Sequence, residues 1–154
     1  MTQESWSPEA IGQELAAGGG ATLATLARGG GPFASYVLTA PDADGSPLML
    51  LSRLAVHTQN LENDARASLL FVREAGVEAM AAERLTLTGR CAKHEDPAAR
   101  RLFLSRHPDA ARYADFADFS LYRFDIEAGH LVAGFGRIVG LTREALIGGA
   151  GGSN

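Results

Sequence analysis

The chain has 154 residues, 46% of them hydrophobic and 21% charged, enough to bury a core without disulfide or metal staples. Fourteen Lys and Arg against eighteen Asp and Glu leave a formal net charge of -4 with no basic stripe, which argues against nonspecific nucleic-acid binding. Cys91 is the only cysteine, so an internal disulfide and a cysteine-rich zinc site are excluded. No apolar run reaches the roughly 18 residues of a membrane span, and no basic segment leads into an apolar one. The expectation is one cytoplasmic domain over residues 1–154.

Ser7-Pro8-Glu9 is a helix start, with Ser7 as cap and Pro8 at the first helical position, and Ile11 and Leu15 give that helix a buried face until Gly18 ends it. Ala21 to Ala27 reads as a strand, Gly29-Gly30-Gly31-Pro32 as a hairpin turn, and Phe33 to Thr39 as a second strand. After the turn residues Pro41 to Gly45, Leu48 opens a third, and short connections suggest that these three form an antiparallel meander. Ala67 to Arg73 is the next strand. Arg84 to Lys93 alternates cleanly, with Leu85, Leu87, Gly89 and Cys91 facing inward.

Asp96-Pro97 starts another helix, with Ala99, Leu102, Phe103 and Arg106 on one side, and a short helix holding Ala111 and Tyr113 follows the break at His107-Pro108. Phe119 to Ile126 and His130 to Gly140 read as two final strands joined through Glu127-Ala128-Gly129. Gly134 and Gly136 then share one strand face and call for a bulge or a close approach. The pattern fits a small closed antiparallel barrel or an open α+β sheet.

The stretch Leu48 to Phe71 carries the densest chemistry. A buried run stops at Ser52-Arg53, and His57, Thr58 and Asn60 open a short helix. Exposed amides at a helix start, beside Arg, His and Thr, would seat a phosphate or carboxylate. Arg84 or Arg90 could add a cation from a neighbouring strand. The same group also reads as a plain helix start, Thr58 capping it and His57 on the surface. No metal site is expected, since His57, His94, His107 and His130 include no i, i+4 pair. No G-x-S-x-G is present, Cys91 reads as core, and Gly134-Phe135-Gly136 lacks the third glycine of a dinucleotide fingerprint.

Taken together, SRLAVHTQNLENDARASLLF, RLTLTGRC and GHLVAGFGRIVGL resemble the pyridoxamine 5′-phosphate oxidase-like, FMN-binding split-barrel superfamily, nearest to its HugZ-type haem-utilisation branch. The resemblance implies a mainly β (α+β) fold, a six-stranded antiparallel split β-barrel with flanking helices, its core at about residues 21–141 and its N-terminal helix at about 8–17. It also implies a homodimer with the cofactor groove between subunits. Ser52 and Arg53 would contact FMN, His57 and Thr58 its phosphate, and Ser35, Tyr36 and Arg137 would line the groove. Asn60 and Arg84 join this cofactor-binding set from the residue pattern. The implied activity is an FMN-dependent oxidoreductase acting on a small molecule, with the flavin carrying the redox chemistry. The alternatives are a haem-binding or haem-utilisation protein, with His57 or His130 as axial ligand, and a cofactor-free dimeric binding module.

Overall fold

The computed structural model describes residues 6–73, 78–134 and 136–148. Helix α1 (Pro8–Ala16) starts as the sequence requires, the Ser7 hydroxyl accepting from the Ala10 amide at 3.2 Å. Strands β1 (Gly20–Leu26) and β2 (Pro32–Leu38) form a hairpin, followed by the two-residue β3 (Ala40–Pro41), β4 (Pro47–Ser52), α2 (Val56–Asn63) and β5 (Arg66–Val72). Then come β6 (Glu83–Lys93), α3 (Pro97–Arg106), β7 (Phe119–Ala133), β8 (Ile138–Thr142) and the short α4 (Arg143–Leu146). The loop between β5 and β6 lies partly outside the described residues.

The strands make one curled antiparallel sheet, a half-barrel flanked by helices, in the order β2-β1-β5-β6-β7-β4-β3 with β8 also on β7. Among the described residues that is eight strands, one of them only two residues long, rather than the six expected. The expected meander is also corrected. β2 is an edge strand, whereas β4 pairs with β7 on the far side of the sheet. The chain changes sides at Thr39, whose hydroxyl donates to the Gly18 carbonyl at 2.7 Å, and β3 then turns back onto β4.

A second correction concerns the C-terminal strands. Glu127-Ala128-Gly129 is not a turn but part of the continuous β7, where a register shift against β6 leaves Glu127 as a bulged residue. The turn lies further on. Gly134 (φ 90°) and Gly136 (φ 78°) adopt the left-handed backbone it needs, and the Ala133 amide donates to the Arg137 carbonyl at 2.9 Å. Phe135 lies outside the described residues. Alternation could not separate these readings, because Glu127-Ala128-Gly129 is as turn-like in composition as the true turn.

The interior is filled from both sides of the curl by Leu23, Leu69, Leu85, Leu87, Phe124, Ile126 and Leu131, all fully buried. A second cluster lies under α3, where Ala99, Phe103 and Ala110 cover Leu48 and Leu121. Leu102 and Arg106, expected on the same side of α3 as Ala99 and Phe103, are exposed, and the short helix expected after His107 is a 3-10 turn, Pro108–Arg112, that holds Ala111 and ends at Tyr113. The Asp96 carboxylate caps α3 at the Ala99 amide, as the sequence requires.

One ion-pair cluster ties the sheet to the C-terminal end. Arg123 on β7 reaches Asp44 at 3.0 Å and Asp42 at 3.5 Å in the β3–β4 turn, and the Asp44 carbonyl accepts from the Gly148 amide at 2.9 Å. Burial pushes the Asp44 carboxyl up, but the Ser46 amide and the Arg123 guanidinium outweigh it and hold it below the usual range. A depressed folded pKa means that the contribution to stability is present at neutral pH and is lost as pH falls through that lowered value. Asp44→Asn is therefore expected to cost about 1 kcal/mol at pH 7, allowing for its partial exposure. The gap between variant and wild type in urea melts should close toward acid pH.

Candidate functional site

The polar residues of the stretch from Ser52 to Asn60 separate into those that hold the fold and those that reach a pocket. The Ser52 hydroxyl donates to Asp118 at 2.7 Å and accepts from the Leu54 amide at 3.1 Å, and the Arg53 amide donates to the Asp118 carbonyl at 2.8 Å. These bonds turn the chain sharply off β4 and aim the start of α2. Ala55, not Thr58, occupies the cap position, and it supplies no side-chain hydrogen bond. The first amides of α2 thus carry no side-chain cap, and Arg53 lies close by in sequence on the exposed side of the turn.

Thr58 is the third residue of α2 and points inward, buried, with no partner for its hydroxyl. Asn60 is buried as well, its amide donating to the Thr25 hydroxyl at 3.0 Å, so it fastens α2 to β1. His57 faces the other way. Its Nδ1 lies 3.1 Å from the Ser35 hydroxyl on β2, joining the helix start to the edge strand. Burial lowers the pKa of this imidazole, which is therefore neutral at pH 7.

His57, Ser52 and Tyr36 border a pocket of about 230 Å³ between β2, β4, the start of α2 and α3. Its further walls include Phe103, Tyr113 and Phe119, the last two with ring centroids 4.8 Å apart. These aromatics come from α3, from the segment after it and from the first residue of β7. On periodicity Phe103 reads as packing residue only, and nothing local links any of the three to His57. Strand β4 brings them together by pairing with the first residues of β7.

Arg84 and Arg137 stand elsewhere. The Arg84 guanidinium donates to the Met80 and Ala82 carbonyls, each at 3.2 Å, and Arg137, in the β7–β8 turn, lies 4.8 Å from the centre of the Trp6 ring. Arg90, the other strand cation considered, is exposed and 3.7 Å from Glu127. His130 is exposed on the outer face of β7, opposite Thr86 on β6 and Gly140 on β8. Cys91 is fully buried and its thiol is pushed up to about 12, which removes it as a nucleophile. Among the described residues no helix is long and apolar enough to cross a membrane, and no three His, Cys, Asp or Glu side chains converge.

A half-buried neutral imidazole with one nitrogen engaged, aromatic walls and uncapped helix amides together suit a flat, largely apolar ligand carrying an anionic group. Comparison with known proteins narrows the lineage. Residues 17–145 match the family described as CREG, beta-barrel. The non-canonical heme oxygenase HOZ, chloroplastic, of Arabidopsis thaliana is 38% identical over 108 residues, which are 68% of this chain and 33% of that protein. A heme binding protein from Mycobacterium smegmatis superposes with a TM-score of 0.87 at 32% identity, over 94% of this chain and 61% of that one. ChuZ of Campylobacter jejuni, with a TM-score of 0.76 at 17% identity over 93% and 63% of the two chains, shares the fold. The chain spans a third of the length of the curated relative and 61% of the mycobacterial one. The chain belongs to the CREG β-barrel family.

Proposed function

We propose that this protein binds haem, with the His57 pocket at the inner end of the site, and that it handles or degrades haem rather than acting as a flavin oxidoreductase. The observation that carries the reading is the Ser35–His57 pair, 3.1 Å apart at the mouth of an aromatic-lined pocket. With Nδ1–H donating to Ser35, Nε2 is left as a lone-pair donor to iron, and a neutral imidazole is the form that ligates. Two relatives above 30% identity are described as a heme oxygenase and a heme binding protein, which supports the same choice over FMN.

The residues fit haem with one limit. A pocket of about 230 Å³ lies below the roughly 300–1,000 Å³ of enclosed small-molecule sites, so it takes only part of a macrocycle. A second copy of the chain would cover the side of the ligand left open to solvent. Val72, Val132 and Ile138 lie in register across β5, β6, β7 and β8 with Arg84 between them, an apolar stripe on the open face of the sheet. Val72 and Ile138 are exposed, and such a stripe suits a self-association surface beside the groove. Light scattering should give a dimer at micromolar concentration, and a monomer there would remove this part of the reading.

FMN remains the second reading, on one specific observation. The uncapped start of α2, with Arg53 beside it, is the kind of place a phosphate binds. Titration with each cofactor separates the two. Haemin is expected to give a shifted, sharp Soret band with saturation near one per chain, and FMN little change in its spectrum. If FMN instead saturates, and Arg53→Ala weakens it by more than about 1 kcal/mol, the flavin reading stands and the haem reading falls.

A further inference from the structure

The pocket beside His57 has a neighbour. A second cavity of about 510 Å³ lies over the N-terminal end of β1, between α1 and β5, and Tyr36 is the one residue that borders both. Tyr36 is an outward-facing residue of the edge strand, paired with Thr22, and it is 72% exposed. Its ring is laid down along the sheet, because a Cβ built on Gly20 would come within 2.0 Å of its hydroxyl oxygen and 2.7 Å of the ring carbon that bears it. Only a residue without a side chain at position 20 allows this placement. Among the described residues the hydroxyl makes no hydrogen bond that would fix it there, and most of the side chain is open to solvent.

We propose that the two cavities are the halves of one ligand groove and that Tyr36, folded over Gly20, is the movable partition between them. This rests on the haem reading and adds to it which way the ligand lies. The far half has an apolar floor that includes Leu70 and Phe71, and a rim of bare backbone at Gly18 and Gly19. The cation there is spent, since Arg73 pairs with Glu14 at 2.9 Å and with Glu83 at 3.0 Å. That half therefore takes the apolar edge of a tetrapyrrole and leaves its carboxylates toward Arg53 and the start of α2. Neither cavity alone holds the whole ring with an axial contact to His57, whereas the joined groove falls within the range of pre-formed ligand sites.

A partition that must move lowers apparent affinity by the fraction of molecules in which it is open. Two substitutions move it from opposite sides. Tyr36→Ala removes the ring. Gly20→Ala leaves the ring but expels it, at small cost, because the clashing atoms are the far end of an exposed side chain and Gly20 has no left-handed backbone to strain. Both variants are expected to melt near the wild-type temperature and to bind haemin about three- to ten-fold more tightly. Both should also raise the fluorescence of an apolar reporter dye, anilinonaphthalene sulfonate, without haem.

Wild-type binding that neither variant improves, or that Gly20→Ala weakens, would overturn the partition while leaving the haem reading intact. If wild type and variants all fail to bind haemin, the haem reading fails. The dye then decides the groove: brighter in both variants supports it, unchanged in either overturns it.

Discussion

Replacing His57 by Ala is expected to abolish the ligand-dependent Soret shift and to weaken haemin binding by at least about 100-fold. Loss of an outer partner of a metal-binding histidine alone costs roughly 10- to 100-fold, so loss of the ligating ring should exceed it. Ser35→Ala is the graded companion. It keeps the imidazole but frees Nδ1, and it should cost less than His57→Ala while shifting the same band. His130→Ala, on the exposed outer face, should leave the spectrum unchanged. A normal Soret shift in His57→Ala would remove the iron-ligand assignment.

The acid behaviour gives a second readout of the same residue. Burial holds the His57 pKa below its ordinary value near 6.5. Below about pH 6.5 the unfolded chain takes up a proton that the folded protein does not, so stability falls with pH until the lowered folded pKa is passed. His57→Gln should remove that part of the decline. Haemin affinity, which needs the neutral ring, should hold through pH 6.5 and drop only below the folded value.

Local signals in the sequence translated directly into structure where the physics is local. Ser7-Pro8 and Asp96-Pro97 cap their helices because a short side chain needs only its own next turn. The alternation from Arg84 to Lys93 identifies the central strand because both its neighbours bury the same face. Partner choice was not legible. Short connections suggested that β4 follows β2 in a meander, but the Thr39 hydroxyl and the two-residue β3 redirect the chain to β7, and neither leaves a pattern at sequence level. The site shows the same division. His57 and Ser52 announced themselves as polar residues after a buried run. Phe103, Tyr113 and Phe119, which wall the pocket, look like ordinary core residues, and Thr58 looks like a cap although α2 begins two residues earlier.

The largest effect on the fold is expected from Gly89→Ala. Gly89 sits in the middle of β6 at the register shift where β7 bulges, and β5 and β7 both pair with it. A Cβ there would lie 2.0 Å from the Asp125 carbonyl oxygen and 3.1 Å from both the carbonyl carbon of Asp125 and a ring carbon of Phe124. Nothing in that set is a loose side-chain end. The oxygen belongs to the backbone of the adjacent strand, and Phe124 is fully buried, so the methyl can be admitted only by parting β6 from β7 at the bend. Overpacking that side chains can absorb costs roughly 1–3 kcal/mol, and displacing a ladder in mid-sheet should exceed the upper end. Against a typical total of about 5–15 kcal/mol, a loss above about 3 kcal/mol would leave the variant marginal at 37 °C. Gly140→Ala is the matched control, since a Cβ on that strand glycine meets nothing within 4 Å and its backbone is not left-handed. It should be neutral or slightly stabilising by the entropy it removes from the unfolded chain. Urea melts of the two variants side by side decide the point, and equal stabilities would show that the curl of the sheet does not depend on the close approach at Gly89.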